Sequence, residues 1–335
     1  MATNEGPGHG DDAPAQAHAE ALVQGTARLT RSAQPRSTRA APRSASRTRR
    51  AAAAHPLTAF VLHRYDWSES SLIVELFTRA QGRVVAVAKG AKRPTSNFRP
   101  VLLPFLPLQV LLGKPPKDET SEVVNLRSAE WSGGVPLLPN GALMSAYYLN
   151  ELLLKLLARQ DPHAELFDAY ADTLVALALA PAPTAAAQPA PSQAAHAAAH
   201  LPVAPAADPA AEPANEATVL RAFELVLLRE LGVLPELREV TLTAQPLQAD
   251  RRYSLHADHG MVADESAGAP GAVWLALDPV LTAGTMASLR QCCAPAAGAL
   301  RGPLRSLLHY HLGQRPLRTR QVWQGVQRLS ESPIR

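Results

Sequence analysis

The sequence predicts an α+β multidomain protein in which an N-terminal five-stranded β barrel of the OB type precedes an α-helical bundle. Three observations predict this class. Residues 57–132 carry five short runs rich in Val, Ile, Leu and Phe. From residue 141 the apolar positions recur at helical spacing, and this spacing returns after residue 216. Between the two helical regions, residues 181–214 are mostly Ala and Pro, a composition that does not form a packed core.

The composition divides the chain into an arm, two domains and a linker. Residues 1–54 contain almost no large apolar side chains and carry eight Arg and four acidic residues, which predicts a disordered basic arm. An OB-fold domain is expected over residues 55–132. A helical C-terminal domain is expected over residues 133–325, interrupted by a disordered Ala/Pro-rich linker at 181–214, and residues 326–335 form a tail.

Alternating apolar residues predict the strands of the first domain. The predicted strands are Thr58–Tyr65, Ser71–Thr78, Arg83–Lys89, Leu106–Leu112 and Val123–Trp131. Five strands in such a short stretch, with no helical pattern between them, predict a small closed sheet. An OB barrel is the commonest five-stranded case, and an SH3-like barrel fits the pattern nearly as well.

Leucine spacing and capping residues predict the helices of the second domain. The first, over residues 141–157, is apolar on most of its surface, so we expect it to be the central buried helix. Polar residues and glycines at 241–264 predict a small hairpin or loop. One further helix is predicted to start at Asp161-Pro162. Three more are predicted over Glu216–Leu231, Leu277–Cys293 and Leu300–Leu312, and the last ends at Gly313.

The charge is strongly segregated along the chain, although its formal total is only +4. Residues 55–132 carry +3, residues 133–289 carry −10, and residues 290–335 carry +7. A basic start, an acidic middle and a basic end indicate a polyanionic partner for the two ends of the chain.

Motifs of common enzyme classes are absent. Gly113-Lys114 lacks the preceding glycine of a phosphate loop, and the sequence contains neither a Gly-x-Ser-x-Gly elbow nor a His-Glu-x-x-His motif. The adjacent Cys292 and Cys293 are expected to be small core residues in a reducing cytosol. No apolar run is long enough to span a membrane. These features predict a cytoplasmic binding protein that is not an enzyme and needs no cofactor.

Five segments, taken in order, resemble one protein family. They are Phe60–Val74, Gly82–Val84 with Lys89–Arg93, Tyr147–Leu154 with Asp161–Phe167, Leu220–Glu224 with Leu231–Pro235, and Leu308–Gly313 with Arg315–Arg320. Together they resemble the RecO family of bacterial DNA repair proteins over most of residues 57–325. Many relatives carry four Cys as a zinc site in the helical domain, but residues 241–264 contain none, so we expect no metal.

The resemblance implies a mediator of DNA repair and homologous recombination. Such a protein binds single- and double-stranded DNA without sequence specificity and anneals complementary strands. It also helps RecA, an indirect partner, to load on DNA coated with the single-stranded-DNA-binding protein, and it acts together with RecR. The main alternative is an OB-fold RNA-binding or translation-related protein, which would not be expected to carry the C-terminal motif.

Basic residues near the predicted strands are the candidate DNA contacts, because Lys and Arg neutralise phosphates whatever the base sequence. They are Arg79, Arg83, Lys89, Lys92, Arg93 and Arg99. Phe98 lies in a loop and is the preferred residue for stacking on bases, whereas core packing is the more common role for Phe60 and Phe77. Arg315, Arg318 and Arg320 are expected to bind an anion, either phosphate or a partner's acidic tail. The alternative for each Arg is a solvated surface side chain.

Overall fold

The chain divides into two compact units, residues 1–132 and 133–335, in a computed structural model. The structure describes residues 55–114, 122–134, 136–180, 215–266, 268–313 and 316–322. The predicted basic arm, the Ala/Pro-rich linker, Arg315 and the C-terminal tail lie outside these residues.

Five strands of the first unit form a closed barrel. They are β1 (Leu57–Asp66), β2 (Leu72–Thr78), β3 (Gly82–Ala88), β4 (Leu108–Leu112) and β5 (Val123–Trp131). Their order around the barrel is β1-β2-β3-β5-β4, and β1 also pairs with β4. Strands β3 and β5 are parallel, and the other pairs are antiparallel. The predicted five-stranded OB-type barrel is therefore confirmed.

Side chains that alternate along each strand fill the barrel interior. Val74 and Leu76 of β2 and Val84 and Ala86 of β3 are buried in this core. Full burial of a Val or Leu side chain contributes about 1.5–3 kcal/mol, so this interior supplies much of the stability of the unit. Strand β4 begins at Leu108, two residues later than predicted, because Pro107 has no N–H to donate to a neighbouring strand.

A β-bulge in β1 changes which side chains face the interior. The pairing with β2 is continuous from Ala59 to Val61, then shifts by one residue before His63. Directly paired residues lie on the same face of a sheet. The shift therefore pairs Arg64 with Val74, whose side chain is inside the barrel, instead of leaving Arg64 on the outer face.

Six helices form the main part of the second unit. They are α1 (Asn140–Leu156), α2 (Ala164–Leu179), α3 (Glu216–Glu230), α4 (Gly271–Ala283), α5 (Met286–Cys293) and α6 (Ala297–Leu312). The most completely buried helix is α3, and α2, α5 and α6 pack around it. The expectation that α1 is the central helix is therefore wrong. Arg221 and Glu224 gave α3 a polar character in the sequence, but these two residues pair with each other in the interior.

The predicted single helix Leu277–Cys293 is wrong, because the structure divides it into α4 and α5. Gly284 ends α4 where a β-carbon would lie 2.5 Å from the carbonyl oxygen of Val280, so this close approach requires glycine. Thr285 then caps α5 through reciprocal hydrogen bonds with Ser288. Two other boundaries also differ from the prediction: α2 begins at Ala164, after Asp161-Pro162, and α6 begins at Ala297.

Two small sheets connect α3 to α4, where a hairpin or loop was predicted. Strands β6 (Glu239–Val240) and β7 (Gln245–Pro246) form one, and β8 (Arg252–His256), β9 (Gly260–Ala263) and β10 (Ala269–Pro270) form the other. The buried Trp274 of α4 donates its indole N–H to the carbonyl oxygen of Tyr253 at 3.1 Å, which fixes the larger sheet against the helix.

Membrane-spanning helices and metal-binding clusters are both absent from the described residues. None of the helices there is both long enough and apolar enough to cross a membrane. Across the same ranges, no group of three or more His, Cys, Asp and Glu side chains is arranged to hold a metal ion.

Candidate nucleic-acid interface

The segment between β3 and β4, residues 89–107 (the basic loop), is held in place by backbone hydrogen bonds. Gly90 has a φ of 72°, a conformation that favours glycine, and it turns the chain out of β3. The backbone N–H of Lys92 then donates to the carbonyl oxygen of Ser70 at 3.0 Å, and that of Leu102 to Phe98 at 2.9 Å. The sequence therefore places cationic side chains on a fixed backbone.

A pocket of about 240 Å³ opens at the end of the barrel where the basic loop crosses it. Leu72, Ala91 and Leu102 belong to the barrel core and form its apolar part. The remaining lining residues are Arg64, Lys92, Phe98 and Arg99. Pockets at the mouths of β barrels commonly bind ligands, and this one combines an apolar floor with three cations and an aromatic ring.

Arg64 was not among the predicted site residues, although the structure places it in this pocket. Its Nη1 atom donates to the carbonyl oxygen of Leu102 at 3.0 Å, so it joins β1 to the basic loop. Strict alternation along β1 would put Arg64 on the outer face with Phe60 and Leu62, whereas the bulge turns it to the opposite face, where it is exposed at the pocket. No local sequence signal identified that bulge.

Lys92 is the most constrained cation of the pocket. Its Nζ atom lies 2.8 Å from Oδ1 of Asp66 and donates to the carbonyl oxygen of Ser68 at 2.9 Å. The Asp66 side chain is 82 % exposed, so solvent screens this pair and the interaction contributes less than about 1 kcal/mol. Lys92 thus fastens the loop to the β1–β2 turn, and part of its charge is offset.

Three cations of the basic loop are exposed to solvent: Lys89, Arg93 and Arg99. Within the described ranges, none of the three forms an ion pair. Together with Arg64 they give this end of the barrel a surplus of positive charge. Such a surplus attracts phosphates without reading base sequence.

The three phenylalanines considered for base stacking differ in their exposure. Phe98 is partly exposed, packs against the barrel core and lines the pocket. Phe60 and Phe77 pair directly across β1 and β2 and are buried, so their rings are not accessible for stacking on a base. Phe98 is thus the aromatic residue of this group that a ligand can reach.

Arg79 and Arg83 lie at the opposite end of the β2–β3 hairpin from the basic loop. The seven-residue strand β2 separates the two ends by roughly 20 Å at about 3.3 Å per residue. Arg83 also forms an ion pair, because its Nε atom is 3.5 Å from Oε2 of Glu75. The Arg83 side chain is 12 % exposed and that of Glu75 is 4 % exposed. The structure therefore does not bring these two residues together with the other five predicted contacts.

In the helical unit, Glu151 of α1 holds the segment that contains Arg318 and Arg320. Its carboxylate accepts hydrogen bonds from the backbone N–H groups of Arg318 at 2.8 Å and Thr319 at 3.0 Å, and it pairs with Lys155 at 2.9 Å. Burial alone would raise the pKa of Glu151, but these hydrogen bonds outweigh burial and lower it. The Arg318 and Arg320 side chains remain exposed.

A second polar group of this unit is internal and does not form a surface site. Oε1 of the buried Glu224 accepts hydrogen bonds from the Tyr148 hydroxyl at 2.8 Å and from Nη2 of Arg221 at 2.6 Å. Burial raises the pKa of the Glu224 carboxyl, and Arg221 opposes that rise. Burial, followed by the neighbouring Glu224, raises the pKa of Tyr148 well above its usual value. The group serves to pair charges within the helical core.

Comparisons with known proteins agree with the resemblance in the sequence. Residues 54–133 match the family description "Recombination protein O N terminal", and residues 141–189 match "Recombination protein O C terminal". The chain is 48 % identical to DNA repair protein RecO of Variovorax paradoxus strain S110 over 288 residues, which are 83 % of this chain and all of that relative.

The chain has similar sequence identities to relatives from other bacteria. The DNA repair protein RecO of Verminephrobacter eiseniae strain EF01-2 is 46 % identical over 276 residues, which are 81 % of this chain and 96 % of that relative. For the protein of the same name from Polaromonas sp. strain JS666 the identity is 44 % over 275 residues, with the same coverage. These similarities support a role in DNA repair and recombination, and the chain belongs to the RecO family of DNA repair proteins.

Proposed function

We propose that this protein is a non-enzymatic mediator that binds single- and double-stranded DNA without sequence specificity and anneals complementary strands. The observation that carries the proposal is the exposed cationic group Lys89, Arg93 and Arg99 on the fixed basic loop, in a chain of the RecO family. Phosphate contacts of this kind provide affinity for any sequence. Lys92 joins this group as the residue that holds the loop in position.

Annealing follows from such binding without any hydrolysis. Two complementary strands repel each other through their phosphates, and a cationic surface reduces that repulsion. Sequence-independent contacts also let the strands shift until their bases pair. Base pairing would then drive the reaction while phosphate binding lowers its barrier, and the protein would need neither a nucleotide nor a metal. In this role it would act with RecR to help RecA load on DNA coated with the single-stranded-DNA-binding protein, in the bacterial cytoplasm.

The proposed contribution of the C-terminal segment is to bind an anion. Arg318 and Arg320 are exposed on a segment that Glu151 holds, and Arg315 precedes them in the sequence. Exposed guanidinium groups bind phosphates or carboxylates, so either DNA or the acidic tail of the single-stranded-DNA-binding protein fits.

The test is strand annealing in the absence of ATP, with complementary oligonucleotides that are bare or coated with the single-stranded-DNA-binding protein. The variant changes Lys89, Arg93 and Arg99 to Gln. A matched control changes Arg238, Arg251 and Arg252 of the helical unit to Gln, which removes the same charge; the first two are exposed and Arg252 is partly exposed. We expect the loop variant to anneal slowly. Its affinity for single strands should also depend less on salt, by about 0.7 in the slope of log K against log salt per lost phosphate contact. The control should behave like the parent.

Three results would contradict the proposal: no annealing by the parent protein, equal losses in both variants, or a requirement for ATP. A competition with RNA of the same sequence tests the alternative function. Stronger binding to RNA than to single-stranded DNA would favour the RNA-binding class.

A further inference from the structure

The pocket at the barrel mouth has a composition that simple phosphate binding does not require. Three of its seven lining residues are aliphatic and continue the barrel core, and Phe98 forms an aromatic wall. A surface that binds only phosphates gains nothing from apolar area, because the phosphate oxygens stay hydrated or bonded to donors. The ligand that fits this pocket therefore has an apolar part as well as an anionic part.

The volume limits the size of that apolar part. At about 240 Å³ the pocket is smaller than those that hold drug-sized ligands, which measure about 300–1,000 Å³. It has room for one small planar group beside the Phe98 ring. The described residues that line the pocket include no carboxylate. The pocket is therefore suited to a neutral group that is bonded to an anionic group, and not to a metal ion or a cationic ligand.

The cations at the pocket are placed to hold that attachment. Arg99 is exposed and has no ion-pair partner in the described part of the chain. Arg64 is exposed as well, and its hydrogen bond to Leu102 uses one of the five N–H donors of its guanidinium. A nucleotide of single-stranded DNA has these two parts, a planar base and a phosphate on each side of it.

We propose that this pocket takes up one unpaired base of single-stranded DNA, with the ring of Phe98 against the base and Arg64 and Arg99 on the flanking phosphates. The inference rests on the proposed function and deepens it, because it assigns the pocket to single strands. Bases of a duplex are stacked and paired, so they enter such a pocket only after they are extruded, at a cost in free energy.

Base pairing sets the direction of annealing, and the pocket would favour release of the annealed product. A base that leaves the pocket can pair with a complementary strand. Once it is paired, it no longer competes for the pocket. The duplex product lacks a free base, so it keeps only the phosphate contacts of the basic loop. The protein would thus hold single strands more tightly than the duplex at this site and release the annealed product.

The first measurement uses the unmodified protein. Its affinity for an oligodeoxythymidylate is compared with that for a strand of equal length made of abasic residues, which carries the phosphates but no bases. We expect the abasic strand to bind at least about fivefold more weakly, the lower end of the effect of base stacking on aromatic side chains. A thymidylate strand that carries 5-iodouracil should also cross-link, on irradiation, to the peptide that contains Phe98.

The second measurement uses variants of the basic loop. Phe98→Leu keeps an apolar side chain against the barrel core but removes the aromatic face, and Phe98→Tyr keeps that face. Leu103→Ala is the matched control, because Leu103 is an exposed apolar residue of the same loop that does not line the pocket. We expect Phe98→Leu to reduce the preference for the base-bearing strand and to leave duplex affinity unchanged. Phe98→Tyr and Leu103→Ala should behave like the parent.

Equal affinity of the parent protein for the two strands would overturn the base pocket, while annealing by the same protein would leave the proposed function standing. A Phe98→Leu variant that loses duplex affinity by the same factor as single-strand affinity would also overturn the base pocket, because the loss would then come from the shape of the loop. If the parent bound neither single strands nor duplex, the base pocket and the proposed function would fall together.

Discussion

Thr319 donates two hydrogen bonds to one carboxylate oxygen of Glu151, from its backbone N–H at 3.0 Å and from its hydroxyl at 2.7 Å. The two residues are 168 positions apart in the sequence. Glu151 thereby caps the first turn of the helix that begins at Arg318. A carboxylate at this position satisfies N–H groups that have no partner within the helix. The exposed Arg318 and Arg320 depend on this contact for their position.

Glu151→Gln should loosen the C-terminal segment, because the neutral amide loses the ion pair with Lys155 and accepts weaker hydrogen bonds. We expect a local loss of about 1 kcal/mol. Hydrogen exchange of the backbone amides at residues 318–322 measures it. Glu165→Gln, on an exposed carboxylate of α2 that pairs with Arg229, is the control and should leave those amides unchanged. Unchanged exchange in Glu151→Gln would contradict the role of the cap.

The same contact predicts a dependence on pH. The pKa of Glu151 is lower in the folded protein than its ordinary value. Its contribution to stability is therefore fully present above the unfolded-state pKa, and it is lost as the pH falls through the folded-state pKa. In acid, exchange at residues 318–322, corrected for the intrinsic rate, should accelerate in the parent protein and change less in Glu151→Gln.

Arg83 is predicted to matter for stability and not for DNA binding. Arg83→Met leaves the buried Glu75 without its ion pair, and the expected cost is on the order of 1–3 kcal/mol of unfolding free energy. Arg83→Met combined with Glu75→Gln should recover much of that loss, since removing both charges avoids an unpaired buried one. Denaturant unfolding provides the measurement, with Arg79→Met as the control. A stable single variant with weakened DNA binding would instead show that Arg83 contacts phosphate.

The three C-terminal arginines are predicted to bind anions without supporting the fold. Changing Arg315, Arg318 and Arg320 to Ala should alter stability by no more than about 0.5 kcal/mol per residue, the usual effect of surface substitutions; Arg318 and Arg320 are exposed. Binding to bare DNA, or to a peptide with the acidic tail of the single-stranded-DNA-binding protein, should weaken. If the triple variant binds both ligands as the parent does, these arginines only solvate the end of the domain.

The adjacent cysteines should differ sharply in reactivity. Burial raises the pKa of the Cys293 thiol to about 12, and Cys292 and Glu224 contribute further to that rise. A thiol must ionise to react, so Cys293 should resist alkylation near pH 8 in the folded protein. Cys292 is only half-buried and should be modified first. Mass spectrometry of Cys292→Ser should show alkylation only after unfolding, and rapid modification of the native variant would contradict the burial of Cys293.

Much of the fold follows from the apolar pattern alone. Alternation marks the five barrel strands to within one or two residues, since each strand places every second side chain in the core. Leucine spacing likewise identifies α1, α2, α3 and α6. The pattern fails where a local contact decides the outcome. Gly284 and Thr285 interrupt what reads as one helix, and the internal pairing of Arg221 with Glu224 allows a polar-looking helix to occupy the centre.

The sequence by itself determined the barrel, the basic loop between β3 and β4, and the segregation of charge, because these depend on residue type and short-range periodicity. Only the tertiary structure decided which cations act together. The bulge at β1 turns Arg64 into the barrel mouth beside Phe98 and Arg99, and the length of β2 keeps Arg79 and Arg83 at the other end. The physical reason is that register and long-range contacts, which composition does not encode, set the distances between charges.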